Sequence, residues 1–127
     1  MFDYQLEATR TSPYIMLDSS QGKIEIKGSS SPDNPVQFYY PVIRKIKDLF
    51  IPVRGVINVD ISMEYFNTSS SKCIFDLLRL LKKLDHPRRK VQINWHYEED
   101  DDDMLETGED YESLLGLTFH YVAVAYS

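Results

Sequence analysis

Hydrophobic and polar residues follow β-strand patterns in five segments of the chain. Residues 13–18 are mostly apolar and run into the turn-forming residues 18–22, and residues 23–27 alternate with a period of two. Residues 55–63 are rich in β-branched side chains, residues 91–97 alternate again, and residues 117–126 end the chain with a last apolar run. We therefore predict five strands, the first two forming a hairpin.

Three further segments carry apolar residues at helical spacing. The first begins with Asn34 as N-cap and Pro35 as first helical residue, and Pro52 closes it. The second follows the polar residues 64–71 and stops before Pro87, and the third follows an acidic run and is weakened by Gly108. Their apolar faces are Val42, Ile43, Ile46, Leu49 and Phe50; Ile74, Leu77, Leu78, Leu81 and Leu84; and Met104, Leu105, Tyr111, Leu114 and Leu115.

The resulting order is β-β-α-β-α-β-α-β, which is typical of an α/β domain with helices packed on a mixed sheet. A chain of 127 residues is long enough for one such domain, so we assign residues 1–127 to a single unit. Residues 1–7 show no clear pattern and are expected to be loose.

Composition narrows the class of protein. Hydrophobic residues make up 43%, no apolar run approaches the roughly 18–20 residues of a membrane span, and the start lacks a signal-peptide pattern. Cys73 is the single cysteine, which excludes an internal disulfide. A cytoplasmic location without membrane insertion is the default expectation.

Charge is distributed unevenly along the chain. Residues 1–90 hold all 14 basic and 10 acidic residues, net +4, whereas residues 91–127 hold 10 acidic and no basic residues. The only basic cluster, Lys82, Lys83 and 88–90, is better explained as a solvated helix end that complements the helix dipole. No nucleic-acid partner is therefore expected.

The loop before the second helix carries the most suggestive chemistry. Thr68 follows Asn67 where a buried strand leaves the sheet and a helix begins, and free amides at a helix N-terminus favour an anion. A phosphoryl group on Thr68 would bring roughly −1.5 to −2 charge to that point. Simple helix capping by Asn67, Thr68 or Ser69 is the alternative, and on physical grounds alone it is favoured.

This strand–loop–helix resembles the STAS domain of anti-sigma-factor antagonists, in which the matching loop is Asp-Ser-Ser-Gly and its first Ser is phosphorylated. Thr68 takes the position of that Ser, and Asn67 takes that of the Asp. Ser70 replaces the Gly, so the chain departs from a standard antagonist.

The chain is more similar to the SiaC family of bacterial regulatory phosphoproteins. Four segments carry the similarity: residues 28–34 (Gly-Ser-Ser-Ser-Pro-Asp-Asn), 65–70 (Tyr-Phe-Asn-Thr-Ser-Ser), 94–97 (Asn-Trp-His-Tyr) and 101–111. The resemblance implies a STAS-like fold and a non-catalytic switch without a cofactor. A cognate kinase would phosphorylate Thr68, a metal-dependent serine/threonine phosphatase would reverse this, and the unphosphorylated form would stimulate a diguanylate cyclase in cyclic di-GMP and biofilm control.

The candidate switch and partner-binding residues are Thr68 with Asn67, Ser69, Ser70, Ser31, Asn34 and Tyr65. Ser31 and Asn34 are included because loops at one end of an α/β sheet cluster together, although a turn and a helix cap explain them equally well. Tyr39 and Tyr40 are further candidates for an exposed partner surface.

Two alternatives remain open on the sequence. One is an anti-sigma-factor antagonist that acts by partner switching. The other is a small metal-dependent enzyme that uses the acidic run 98–103 and His96, because hard cations prefer carboxylate ligands. That run lacks the spacing of an EF-hand loop, and His86, His96 and His120 share no ligand spacing, so a solvated acidic surface is favoured.

Overall fold

The structure, a computed structural model, describes residues 2–125 and contains six strands and three helices within them. The strands are β1 (Tyr4–Leu6), β2 (Tyr14–Asp18), β3 (Lys23–Ser30), β4 (Gly55–Phe66), β5 (Arg89–Glu98) and β6 (Phe119–Val124). The helices are α1 (Pro35–Phe50), α2 (Thr68–Leu84) and α3 (Asp102–Leu115). The predicted α/β class is confirmed.

The six strands form one mixed sheet in the order of the sequence, β1-β2-β3-β4-β5-β6. The pairs β1–β2 and β2–β3 are antiparallel, and the pairs from β3 to β6 are parallel. Each parallel pair is joined through one helix, so all three crossovers advance in the same direction across the sheet. Right-handed crossovers in one direction place their helices on the same face.

Burial along the strands shows which face the helices cover. In β4, Ile57, Val59 and Ile61 are buried, while the alternate residues Asn58 and Asp60 remain partly exposed. The buried set packs against the apolar faces of the helices in one core that includes Trp95, Tyr39, Phe50, Leu77, Leu78 and Leu81. The opposite face of the sheet is polar and open.

The N-terminal segment differs from the expectation of a loose chain. Tyr4, Gln5 and Leu6 pair with Leu17, Met16 and Ile15 as strand β1, and Asp3 accepts a 2.5 Å hydrogen bond from the Ser19 amide. Three residues are too short to show a period in the sequence. The order is therefore β-β-β-α-β-α-β-α-β, one strand longer than predicted.

Strands β3 and β4 both extend beyond their predicted ends. Residues 28–30 were expected in a loop, but β3 continues to Ser30 through an irregularity between Gly28 and Ser29. Residues 64–66 likewise stay in β4, with Phe66 opposite Ser30. Partners across the sheet stabilise these polar ends, whose local sequence favours a loop. The predicted last strand reached Tyr126, which lies outside the described residues.

Gly108 has a packing role rather than a merely weakening one. A Cβ atom at this position would lie 2.6 Å from the Trp95 Nε1 atom. That indole nitrogen donates a 3.0 Å hydrogen bond to the Met104 carbonyl in the first turn of α3. The glycine therefore lets α3 approach β5 closely enough for this bond to form.

Among residues 2–125, no helix is long and apolar enough to cross a membrane.

Candidate phosphorylation site at the start of helix α2

All three helices begin at the same edge of the sheet, because each follows the carboxyl end of a parallel strand. Their N-caps are Asn34, Asn67 and Asp101, and each side-chain oxygen accepts a bond from an amide three residues later. The donors are the amides of Gln37, Ser70 and Met104, at 3.1, 2.9 and 3.0 Å. The loops that carry the predicted site residues are therefore neighbours in space.

Asn67 joins strand and helix. Its amide donates to the Ser30 carbonyl at 3.1 Å, which continues the β3–β4 pairing by one more bond. Its side chain then caps α2, with extended backbone angles that are usual for an N-cap. The capping explanation is thus correct for Asn67, and it leaves the hydroxyls that follow to be explained separately.

Ser70 is completely buried and belongs to a hydroxyl chain. The Ser30 hydroxyl donates to the Ser70 Oγ atom at 2.8 Å, so Tyr39 must donate in its 2.5 Å bond to Ser30. Burial raises the pKa of Tyr39 to about 12, which keeps the phenol protonated and able to donate. This chain fixes the start of α2 against β3 and α1.

Ser71 is held by α3. The Tyr111 hydroxyl donates to the Ser71 carbonyl at 3.0 Å, so Ser71 Oγ donates in the 2.7 Å contact between the two hydroxyls. Burial raises the pKa of Tyr111, which also keeps this phenol protonated. Ser70 and Ser71 are therefore structural, and a modifying enzyme cannot reach the Ser70 hydroxyl without unfolding this end of the helix.

Thr68 and Ser69 are the exposed hydroxyl residues of this segment. They occupy the first two positions of α2, where the amides have no acceptor within the helix. The first turn of α2 contains no acidic residue, and exposed Lys72 lies four residues after Thr68, on the same side of the helix. Dipole, amides and lysine together make this point able to hold a phosphoryl group.

The other predicted site residues lie around this point to different degrees. Ser31 follows Ser30 and donates its amide to the Thr11 carbonyl at 2.8 Å, so it lies in the loop next to Asn67. Asn34 caps α1 at the same edge. Tyr65 is 57% exposed near the end of β4, whereas Tyr39, expected at a partner surface, is fully buried and Tyr40 is 41% exposed.

The acidic run has a structural explanation. Asp101 caps α3, and Asp102 and Asp103 lie in its first turn, where the helix dipole favours negative charge. In the described part of the chain, no group of three or more His, Cys, Asp and Glu side chains is arranged to hold a metal ion. His96 Nε2 instead pairs with Asp60 Oδ1 at 3.0 Å on the open sheet face.

Cys73 is packed in the core, and burial raises the pKa of its thiol. A thiol in this state is a small apolar residue rather than an activated nucleophile.

The hydroxyl chain of Ser30, Tyr39 and Ser70 was missed by the sequence analysis. No local pattern signals it, because the residues are 9 and 40 positions apart. The run of three serines was the available signal. Its meaning depends on which serine points inward at the helix start.

This geometry defines an α/β domain with an accessible threonine at a helix N-terminus, a class suited to regulation by phosphorylation. The model of the SiaC family regulatory phosphoproteins matches residues 6–124. The chain therefore belongs to the SiaC family.

Curated and solved proteins agree with that assignment. An uncharacterized protein of Pseudomonas aeruginosa is 28% identical over 119 residues, which cover 94% of each chain. Apo-SiaC of the same organism is 28% identical, with a TM-score of 0.84 over 97% of this chain and all of that one. SiaC in complex with the diguanylate cyclase SiaD, which it activates, is 26% identical, with a TM-score of 0.84 over 98% of this chain and all of that one.

Proposed function

We propose that this protein is a non-catalytic switch whose state is set by phosphorylation of Thr68. A cognate kinase adds the phosphoryl group, and a metal-dependent serine/threonine phosphatase removes it. The unphosphorylated form binds a diguanylate cyclase and stimulates synthesis of cyclic di-GMP. Membership of a family of regulatory phosphoproteins supports the general class, and the finer steps are our proposal.

The observation that carries the proposal is the sorting of hydroxyls at the start of α2. Ser70 is buried and Ser71 is bonded to Tyr111, so Thr68 and Ser69 alone within this run of hydroxyls combine exposure with free amides. The earlier resemblance of the Asn-Thr-Ser-Ser loop selects Thr68 of the two. A kinase must bring the hydroxyl to its own active site, and exposure at a helix end allows this without unfolding.

Phosphorylation here changes a surface rather than the fold. A phosphoryl group at the first position of α2 is stabilised by the dipole and by nearby Lys72, so it costs the domain little stability. It does add roughly −1.5 to −2 charge beside Tyr65 and the Ser31–Asn34 loop. A partner that binds this edge therefore meets a different surface after modification.

The choice of partner rests on the relative rather than on this chain. SiaC of Pseudomonas aeruginosa is an activator of the diguanylate cyclase SiaD and forms a complex with it. The similarity extends over 98% of this chain, so no large part of the relative's domain is missing here. We extend the partner class, a diguanylate cyclase, to this protein.

The kinase step is tested by tandem mass spectrometry after incubation with ATP and the cognate kinase. Wild type and Ser69→Ala should each gain one phosphoryl group, located at Thr68, whereas Thr68→Ala should gain none. Ser69→Ala is the matched control because the two residues share exposure and helix position. Phosphate on Ser69 or elsewhere in the Thr68→Ala variant would contradict the proposal.

The switch itself is tested by binding to the cyclase. Thr68→Ala should bind as wild type does, because the unmodified surface is kept. Thr68→Glu should weaken binding, about tenfold or more, because it adds charge at the same point. Equal affinities for the Ala and Glu variants would show that charge at Thr68 does not control the partner.

A further inference from the structure

A groove lies between α1 and α2 on the outer surface of the helix layer. It encloses about 410 Å³ and is lined by Tyr40, Ile43, Arg44 and Lys47 of α1 and by Asp76 of α2. The Tyr40 hydroxyl donates to Asp76 Oδ2 at 2.9 Å and so joins the two helices across the groove. None of these residues is needed to explain the phosphorylation site.

One wall of the groove is an apolar stripe on α1. Val36, Tyr40 and Ile43 follow each other at spacings of four and three residues, which places them on one face of the helix. Val36 is 49% exposed and Tyr40 is 41% exposed, so the stripe is open to a partner. Anchors at this spacing match the way in which an amphipathic helix lies along a helical surface.

The charges around the stripe are mainly basic. Helix α1 has a net charge of +2 and α2 of +3, although the whole chain has −6. Asp76, the one acidic residue of α2, is occupied by the Tyr40 bond and by Arg79 at 3.8 Å. Arg44 and Lys47 line the groove without an ion pair to any described residue.

The groove points towards the phosphorylation site. Thr68, Lys72 and Asp76 follow at intervals of four residues along one side of α2, and Asp76 lies roughly 12 Å from Thr68 along the helix axis. Helices α1 and α2 start at the same edge, so the groove runs from the middle of both helices towards Thr68. A bound helix of three turns, about 16 Å long, would extend from the groove to this edge.

We infer that the α1–α2 groove docks an acidic amphipathic helix of the partner protein, and that a phosphoryl group on Thr68 repels this helix electrostatically. The apolar face of the partner helix covers Val36, Tyr40 and Ile43, and its carboxylates meet Arg44, Lys47 and Lys72. The second half of the inference rests on the proposed function, since it needs Thr68 to be modified. The first half does not.

Electrostatic repulsion also gives the direction of the switch. The unmodified surface is basic and attracts an acidic helix, whereas the phosphorylated edge places negative charge where that helix ends. The interaction decays within a Debye length of about 8 Å at physiological salt, so only a partner that reaches the edge of the groove is affected. Phosphorylation is thus inhibitory for this class of partner.

The experiment maps binding of a defined peptide by NMR. The probe is a capped helix of about three heptads with Leu on one face and Glu on the other; its twin carries Lys in place of each Glu. With unmodified full-length protein, the acidic peptide should shift amide signals of α1 and α2. It should bind about tenfold or more tightly than the basic twin, less so as salt rises from about 50 to about 300 mM.

Two charge reversals locate the site. Arg44→Glu with Lys47→Glu should weaken binding of the acidic peptide about tenfold or more, whereas Lys23→Glu, on the open sheet face, should leave it unchanged within about twofold. Shifts on the open sheet face, equal binding of both peptides, or no binding at millimolar peptide would overturn the inference. Dimerisation of the protein itself through this groove, detected by analytical ultracentrifugation and lost in the double variant, would also overturn it.

The Thr68-phosphorylated protein provides the last arm. It should bind the acidic peptide about tenfold more weakly than unmodified protein at low salt, and the difference should shrink at high salt. Unchanged affinity would contradict the repulsion. A kinase that never modifies Thr68 would instead contradict the proposed function, while the mapping on unmodified protein would still test the groove.

Discussion

The starts of α2 and α3 are built alike and charged differently. Both follow a parallel strand at the same edge of the sheet, and both are capped by a side chain, Asn67 or Asp101, that accepts an amide bond. The first turn of α3 already contains Asp102 and Asp103, whereas the first turn of α2 contains no acid. The positive end of one helix dipole is thus permanently compensated, and the other remains available.

This difference shows how one scaffold produces a structural end and a regulated end. At α3, carboxylates encoded in the sequence supply the negative charge at all times. At α2, neutral hydroxyls take their place, so the charge can be added by a phosphoryl group and removed again. Buried Ser70 and bonded Ser71 hold the helix start in position in either state.

The largest expected effect concerns the packing that anchors α3. Helix propensity alone predicts that Gly108→Ala stabilises the protein by roughly 0.5–1 kcal/mol. The new Cβ atom would lie 2.6 Å from the Trp95 indole nitrogen, so we expect a net loss of about 1–3 kcal/mol instead. Urea unfolding decides between the two signs, and a stabilised variant would show that α3 does not depend on this close approach.

The hydroxyls of α2 should separate into structural and accessible ones. Ser70→Ala removes the acceptor of the buried Ser30 hydroxyl and should lower the free energy of unfolding by about 1–2 kcal/mol. Ser69→Ala, at the adjacent exposed position, should change it by less than about 0.5 kcal/mol. Equal losses for both variants in chemical denaturation would refute the distinction on which the assignment of Thr68 depends.

The two caps should contribute equally despite their different charges. Asn67→Ala and Asp101→Ala should each cost about 1 kcal/mol, because each removes one bond to an amide of the first turn. Thermal unfolding of both variants at the same pH measures this. A negligible cost at Asn67 would mean that β3 and the hydroxyl chain, rather than the cap, define the start of α2.

The smallest expected effect is the exchange of charge between the two ends. Thr68→Asp should raise stability by roughly 0.3–1 kcal/mol, and Asp102→Asn should lower it by a similar amount, since both alter charge in a first turn. The two effects should shrink together as salt is added. If Thr68→Asp instead destabilised the protein, phosphorylation would act through unfolding rather than through a changed surface.

Much of the fold could be predicted from the sequence because its elements are long and periodic. The three helices and the long strands β4 and β5 were identified from spacing, and Asn34 with Pro35 located the start of α1. Strand β1 was missed because three residues have no period, and the ends of β3 and β4 were missed because pairing across the sheet overrides polar local composition.

The site was predictable only in part for a similar reason. The Asn-Thr-Ser-Ser loop indicated a helix start able to hold an anion, and the resemblance selected Thr68. The burial of Ser70 depends on Ser30 and Tyr39, which are distant in sequence, and the role of Gly108 depends on Trp95. Contacts of this kind follow from the packed structure and leave no local pattern.

The most direct test of the central claim measures cyclic di-GMP synthesis by the diguanylate cyclase of the same organism. Unmodified protein and protein phosphorylated at Thr68 would be added to the cyclase at equal concentrations. We predict that the unmodified form stimulates synthesis and that the phosphorylated form leaves the basal rate unchanged until the phosphatase restores it. Equal stimulation by both forms would contradict the account.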